Sequence, residues 1–187
     1  MTRIDTTQDI VLTRIVARLQ GALSLPEHRC YETLEPLVDP PIPKGGYYFL
    51  TVSPGDGRYD EGMQVGGGAE QLMEMASVTV TAYALIALDP GDTATEILHK
   101  VNRGMLPIKK AILDALVGHD LTDSGGNYLL RQQIYAIQAW RPRYNKDTKI
   151  AMIAVGFGTD FDWDITPTVV TTTTTTTAEP TTTTATP

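Results

Sequence analysis

The sequence predicts an α+β fold, a mainly antiparallel sheet of about four strands packed on one side by two or three helices. Three observations predict it. Residues 75–89 form the longest unbroken β signal in the chain. Two stretches, 8–24 and 94–117, keep apolar residues at helical spacing. Two further runs, 128–141 and 149–157, alternate on either side of a turn and read as a closing antiparallel hairpin.

In the central strand Val78, Val80, Ala82, Ala84, Ile86 and Leu88 fall on one side of a period-two ribbon. Ser77, Thr79, Thr81 and Tyr83 fall on the other, which turns apolar from Leu85, so the strand is expected to end buried on both faces.

The chain has 187 residues, enough for one domain with a real core. Its hydrophobic content is 42% and its charged content 20%, ordinary values for a soluble domain. No apolar run approaches a membrane span, and the first residues lack the apolar core of a signal peptide, so residence in the cytoplasm is expected. Cys30 is the sole cysteine, which excludes an internal disulfide and a multi-cysteine zinc site; it reads as a partly buried thiol rather than a nucleophile. The net charge of −7 argues against gripping nucleic acid over a broad face.

Taken in order, Thr6 or Thr7 can cap a helix whose stripe is Ile10, Val11, Ile15, Val16, Leu19 and Leu23. Pro26 forbids its continuation. Residues 26–46 contain five prolines and read as an ordered surface crossing, with a strand-like piece near 31–34. Residues 47–53 are a second strand, stopped by Pro54-Gly55-Asp56-Gly57. Residues 57–68 form a polar, glycine-rich loop ending in three glycines. A phosphate cradle there would want the P-loop lysine or a dinucleotide glycine spacing, and neither is present; Arg58 is the only cation nearby. The loop therefore reads as a long flexible hairpin loop that orders against a partner.

Asp92 or Thr93 can cap the next helix. Gly104 and Pro107 interrupt it and predict a kink or a break into two helices near 103–106, and Gly118 marks its end. The hairpin follows, then Asp160, Asp162 and Asp164 at period two. They are weak candidates for a divalent cation, and a solvated acidic rim is the ordinary reading. His28, His99 and His119 have no metal-ligand or catalytic spacing. No nucleophile motif is present, no cofactor is expected, and the chain is read as a non-enzyme. Residues 1–165 make the domain, and the threonine-rich segment 166–187 is expected to be a disordered tail.

This order resembles the lambda-type tail terminator (tail completion) proteins of long-tailed bacteriophages. The resemblance spans roughly residues 5–165 and lies in arrangement rather than in a short motif. A strand like 47–53 and a long loop lead to a strand like 78–88; an acidic turn, 89–92, then opens a helix containing Met105-Leu106-Pro107, and two strands close the domain. The proline-rich connector and the threonine tail depart from the simplest members.

The resemblance implies a structural virion protein made in the host cytoplasm. It would form a ring, six-membered in such proteins, at the head-proximal end of the tail tube, stopping polymerisation and joining tail to neck. Its implied partners are other copies of itself, the tail tube protein and a neck or head-completion protein. DNA would pass through the channel without sequence-specific binding, and no membrane is involved. The expected interface is Arg58, Tyr59, Asp60, Glu61, Met63, Gln64 and Val65 in the loop, with Ser77, Thr79 and Thr81 on the strand. A neck connector of the same virion region, or a small metal- or phosphate-binding enzyme, are the alternatives.

Overall fold

A computed structural model describes residues 7–37, 40, 48–59 and 71–164. Helix α1 (Thr7–Leu23) leads through a 3-10 turn (Glu27–Arg29) to strand β1 (Cys30–Glu32). Strands β2 (Tyr48–Pro54), β3 (Arg58–Tyr59), β4 (Gln71–Met75) and β5 (Ser77–Leu85) precede helix α2 (Ala94–Leu116). Strands β6 (Tyr135–Ala139), β7 (Arg143–Asn145), β8 (Ile150–Gly158) and β9 (Phe161–Asp164) follow.

The main sheet has six strands rather than four, in the order β1-β2-β5-β8-β6, with β7 sharing the β6 edge of β8. It is mixed: β1 runs parallel to β2, and the other pairs are antiparallel. The parallel pair arises because the chain reaches β1 from α1 and then crosses the sheet before β2 begins. The fold class is α+β, as the sequence predicts.

Both helices lie on one side. Val11, Ile15 and Leu19 of α1 and Val101, Met105, Ile112 and Leu116 of α2 bury against Leu50, Val52, Val78, Val80, Ile153, Val155 and Phe157. This is the even-numbered face of β2 and β5 and the odd-numbered face of β8, so the alternation read from sequence is the alternation of the core. Ser24 ends α1 by adopting φ of 53°, while the Leu25 N–H bonds to the Gln20 carbonyl at 2.9 Å. The Arg18 Nε donates to the Ala115 carbonyl at 2.6 Å, placing a cation at the carbonyl end of α2 and tying the two helices together.

Thr93 caps α2 with a full capping box: its hydroxyl accepts from the Glu96 N–H, and the Glu96 carboxylate accepts from the Thr93 N–H at 2.7 Å. Such a cap contributes about 1 kcal/mol. Asp92 instead receives Lys100, whose ammonium also meets Asp89, both at 2.7 Å. The expected break near 103–106 does not occur; α2 runs unbroken through Pro107. Pro107 and Arg103 are both exposed, so water can satisfy the Arg103 carbonyl that loses its donor. Buried side chains on both sides, Val101 and Met105 before the proline and Ile112 and Leu116 after it, hold the helix to the sheet. Gly104 allows close approach there, since a Cβ would lie 2.5 Å from Ile86 Cδ1.

Two other expectations are corrected. The β5 strand stops at Leu85, which is 39% exposed, so its end is not buried on both faces. The run 128–141 is strand only from Tyr135, with a register shift between Ala136 and Gln138. Before it, Leu130 and Ile134 plug into the core as loop residues.

Candidate functional site

The loop expected after β2 is flanked by two paired strands, β3 and β4, and its residues 60–68 lie outside the described residues. The β4–β9 ladder pairs Gln71 with Asp164 and Glu74 with Phe161; the β5–β8 ladder pairs Ser77 with Gly158 and Leu85 with Ile150. These lie in one register, so β4–β5 and β8–β9 form a single two-stranded ribbon. At its joint the Ala76 carbonyl accepts from the Thr159 N–H at 2.9 Å. The β2–β5 register passes into β3–β4 with one extra residue on the β2–β3 side, where Gly55 to Gly57 separate the strands. The extra residue is a bulge, the usual device for adding twist to a ribbon. Gly55 is required in it, because a Cβ would lie 2.2 Å from Ser77 Oγ. The smaller sheet β3-β4-β9 is thus the outer end of the central strands of the main sheet.

The side of the sheet away from the helices is partly roofed by the connector. Tyr31, Phe49 and Tyr83 stack there, with ring centroids 6.3 and 4.8 Å apart. The Leu37 N–H donates to the Tyr83 hydroxyl at 2.7 Å. Pro36 and Leu37 of the connector therefore lie over the strands, and residues 38–39 and 41–46 of it lie outside the described residues. Between it and the β6–β7 edge runs a trough of two adjoining cavities of about 230 and 210 Å³. Its floor is Thr79, Tyr83, Met152 and Ala154; its walls are Pro36 and Leu37 on one side and Trp140, Arg141 and Arg143 on the other. The Trp140 ring covers Gly156 and remains 38% exposed. Arg141 and Arg143 are exposed and make no ion pair among the described residues.

The residues expected at an interface fall in different places. Arg58 and Tyr59 form β3, while Asp60, Glu61, Met63, Gln64, Val65 and the triple glycine lie outside the described residues. Ser77 is half-buried at the ribbon joint, where its hydroxyl donates to the Asp56 carbonyl at 2.8 Å. Thr79 is half-buried on the trough floor. Thr81 is fully buried within the chain. Its hydroxyl and that of its cross-strand partner Thr51 are buried beside Tyr83.

Asp160 is 5% exposed and accepts from Gln132 Nε2 at 2.5 Å and from the Tyr135 hydroxyl at 3.3 Å. Asp162 and Asp164 follow in β9. Among the described residues no group of three or more histidine, cysteine or carboxylate side chains is placed to hold a metal. His28 and His99 are exposed and His119 is half-buried. The segment 166–187 lies outside the described residues.

Cys30 is completely buried, and burial pushes its thiol up to about 12. A thiol so protonated at neutral pH is not a nucleophile. Below pH 9 the thiol is protonated in folded and unfolded chains alike and has no effect on the pH dependence. Between pH 9 and about 12 only the unfolded chain releases the proton, so stability falls as pH rises, by roughly 1.4 kcal/mol per pH unit from this group. Cys30→Ala is expected to flatten the alkaline stability profile by that slope, with Tyr31, Tyr48 and Tyr83, also raised by burial, contributing in both proteins. Urea melts from pH 8 to 11 measure it, and parallel profiles for the two proteins would refute it.

Sequence reasoning missed the trough, whose walls come from Pro36, Leu37 and Pro40 and from residues 140–145 and whose floor comes from two further strands. The one available signal was Trp140-Arg141-Pro142-Arg143, an aromatic and two cations around a proline. No family model and no curated protein matches the chain. Among solved structures, a chain from the virion of a native gene transfer agent particle is similar at a TM-score of 0.40 and 17% identity, over 82% of this chain and 95% of that one.

Proposed function

We propose that this protein is a structural virion component, a phage tail terminator that forms a ring at the head-proximal end of the tail tube and joins tail to neck. One observation carries the reading: a strand-built arm extends, in unbroken register, from the central strands of a helix-backed sheet. A rigid body with an arm of this kind can reach a neighbouring subunit or the tube end. The chain offers two unlike surfaces, the arm and the opposite sheet edge, and unlike surfaces produce head-to-tail association that closes into rings. The acidic balance of −7 suits a channel that DNA crosses without adhering. The order of elements is the one in which the sequence resembles the terminators.

Deleting residues 60–67, the link between β3 and β4, tests the role of the arm. The expected product is a folded protein that no longer caps tail tubes or joins them to heads, as seen by negative-stain microscopy of a complementation lysate. Normal tails of fixed length from the deletion would overturn the reading.

A further inference from the structure

We propose that the trough between the connector and the β6–β7 edge binds single-stranded nucleic acid without regard to sequence, a role that goes beyond the assembly function and does not depend on it. The acidic balance of the chain argues against a broad nucleic-acid face, and the trough is a narrow local exception. Residues 141–149 carry Arg141, Arg143, Lys146 and Lys149 against Asp147 alone, and all four cations are exposed. None of the four makes an ion pair among the described residues. Cations elsewhere are held: Lys100 by Asp89 and Asp92, Lys110 by Asp114, and Arg18 by the Ala115 carbonyl. Neither cavity of the trough is lined by a carboxylate among the described residues. Guanidinium groups free of protein carboxylates suit phosphate oxygens, which they meet in two-pronged geometry.

The placement of these groups on the sheet selects the kind of anion. Arg143 pairs with Met152 across β7 and β8, and cross-strand partners share a face, so it stands on the side away from the helices. Trp140 lies on that side too. Its ring covers Gly156, with Cη2 and Cζ3 3.6 Å from where a Cβ would stand, and it keeps 38% of its surface open. An open indole beside two arginines on a sheet face is a stacking platform flanked by phosphate contacts. An unpaired base lies on the ring while its backbone runs past the cations. The hairpin tip extends that line of charge. Asn145 Oδ1 accepts from the Asp147 N–H at 2.9 Å, and Lys149 closes the turn at φ of 58°, so Lys146 and Lys149 project from a defined turn beyond the trough. A duplex keeps its bases stacked on one another and offers none to the ring, which favours a single strand.

Fluorescence anisotropy with the full chain and a labelled oligothymidylate of about 15 nucleotides tests the contact, at a salt concentration of about 50 mM. Saturable binding is expected, weakening with salt at a log–log slope of about −2, the value for about three phosphates on a single strand. A duplex of the same length should bind about tenfold more weakly. Trp140→Ala should weaken binding about tenfold and Trp140→Phe, which keeps a ring, about twofold. Arg141→Glu with Arg143→Glu should weaken it at least about twentyfold and flatten the salt slope to about −0.7. Arg103→Glu, an exposed cation of α2, is the charge control and should change binding less than about twofold. Trp163→Phe leaves Trp140 as the only tryptophan, and in that background the single strand should quench indole emission in step with the anisotropy. Circular dichroism on each variant shows that the fold is intact. The proposal is overturned by the absence of saturable binding, by a duplex bound as tightly as the single strand, or by a loss in Trp140→Ala no larger than in Arg103→Glu. Polyglutamate that displaces the strand at equal charge would assign the trough to an acidic polypeptide and overturn it as well.

Discussion

Replacing Phe161 by alanine is expected to cost about 3–5 kcal/mol, the range for removing a fully buried phenylalanine. In a domain of this length that lowers Tm by roughly 10 °C. Phe161 opens β9, has no exposed surface, and belongs to the main core although the strand it begins lies in the smaller sheet. It sits on the odd-numbered side of the β8–β9 strand, in line with Val155 and Phe157, which meet the helices. Its ring therefore pins the root of the ribbon to the body. Phe157→Ala removes a similar volume from the middle of the sheet and should cost a similar amount. The two should differ in where the structure loosens. Hydrogen exchange in Phe161→Ala should quicken first in β4 and β9, ahead of β5 and β8, because the outer ladder loses its anchor while the inner ladder keeps its own. A uniform rise across both ladders would show that the ribbon is not a separately anchored unit.

The parts of this fold that were legible in the sequence are those set by local periodicity. The alternation of residues 78–84 assigned the core face of the central strand, and the stripes of α1 and α2 assigned their buried sides. What stayed hidden depends on partners far apart in the chain. The parallel pairing of Cys30–Glu32 with β2 follows from where the connector crosses, and three residues carry too little pattern to show it. Tyr83 and Thr81 lie on the polar side of their strand yet are buried, because the connector and its aromatic stack cover that side. Pro107 is a strong local stop signal that burial on either side outweighs.

The acidic triplet shows the same division. Period two placed Asp160, Asp162 and Asp164 on one side of a strand, but their environments part at the joint. Asp160 is drawn under Tyr135 and Gln132, while Asp162 and Asp164 belong to the ribbon. The continuous register from Gln71 to Leu85 was invisible in sequence, because it is a relation between segments more than sixty residues apart. That relation makes β4 and β9 an extension of the central β5–β8 ladder.

Gly158→Ala is expected to cost about 2–4 kcal/mol, far more than one methyl group warrants at an open position. Gly158 ends β8, opposite Ser77 on one side and Tyr135 on the other. The Tyr135 ring lies flat on it: a Cβ would stand 2.1 Å from Cζ and 2.4 Å from Cε1. A ring on an exposed edge strand can swing away, so the overlap alone sets a modest cost. Its hydroxyl, however, is one of two side-chain donors to Asp160. Moving the ring strips a nearly buried carboxylate of a partner, and that loss is added to the steric one. The same displacement disturbs the ribbon joint, where the Asp160 carbonyl also accepts from the Arg131 N–H at 2.9 Å. A double-mutant cycle separates the contributions. Tyr135→Ala alone should cost the hydroxyl bond and the ring packing, and Gly158→Ala in that background should be nearly neutral. The coupling between the two sites should then equal nearly the whole cost of Gly158→Ala, about 2–4 kcal/mol. Additive costs in urea melts would mean that the ring does not depend on the glycine beneath it.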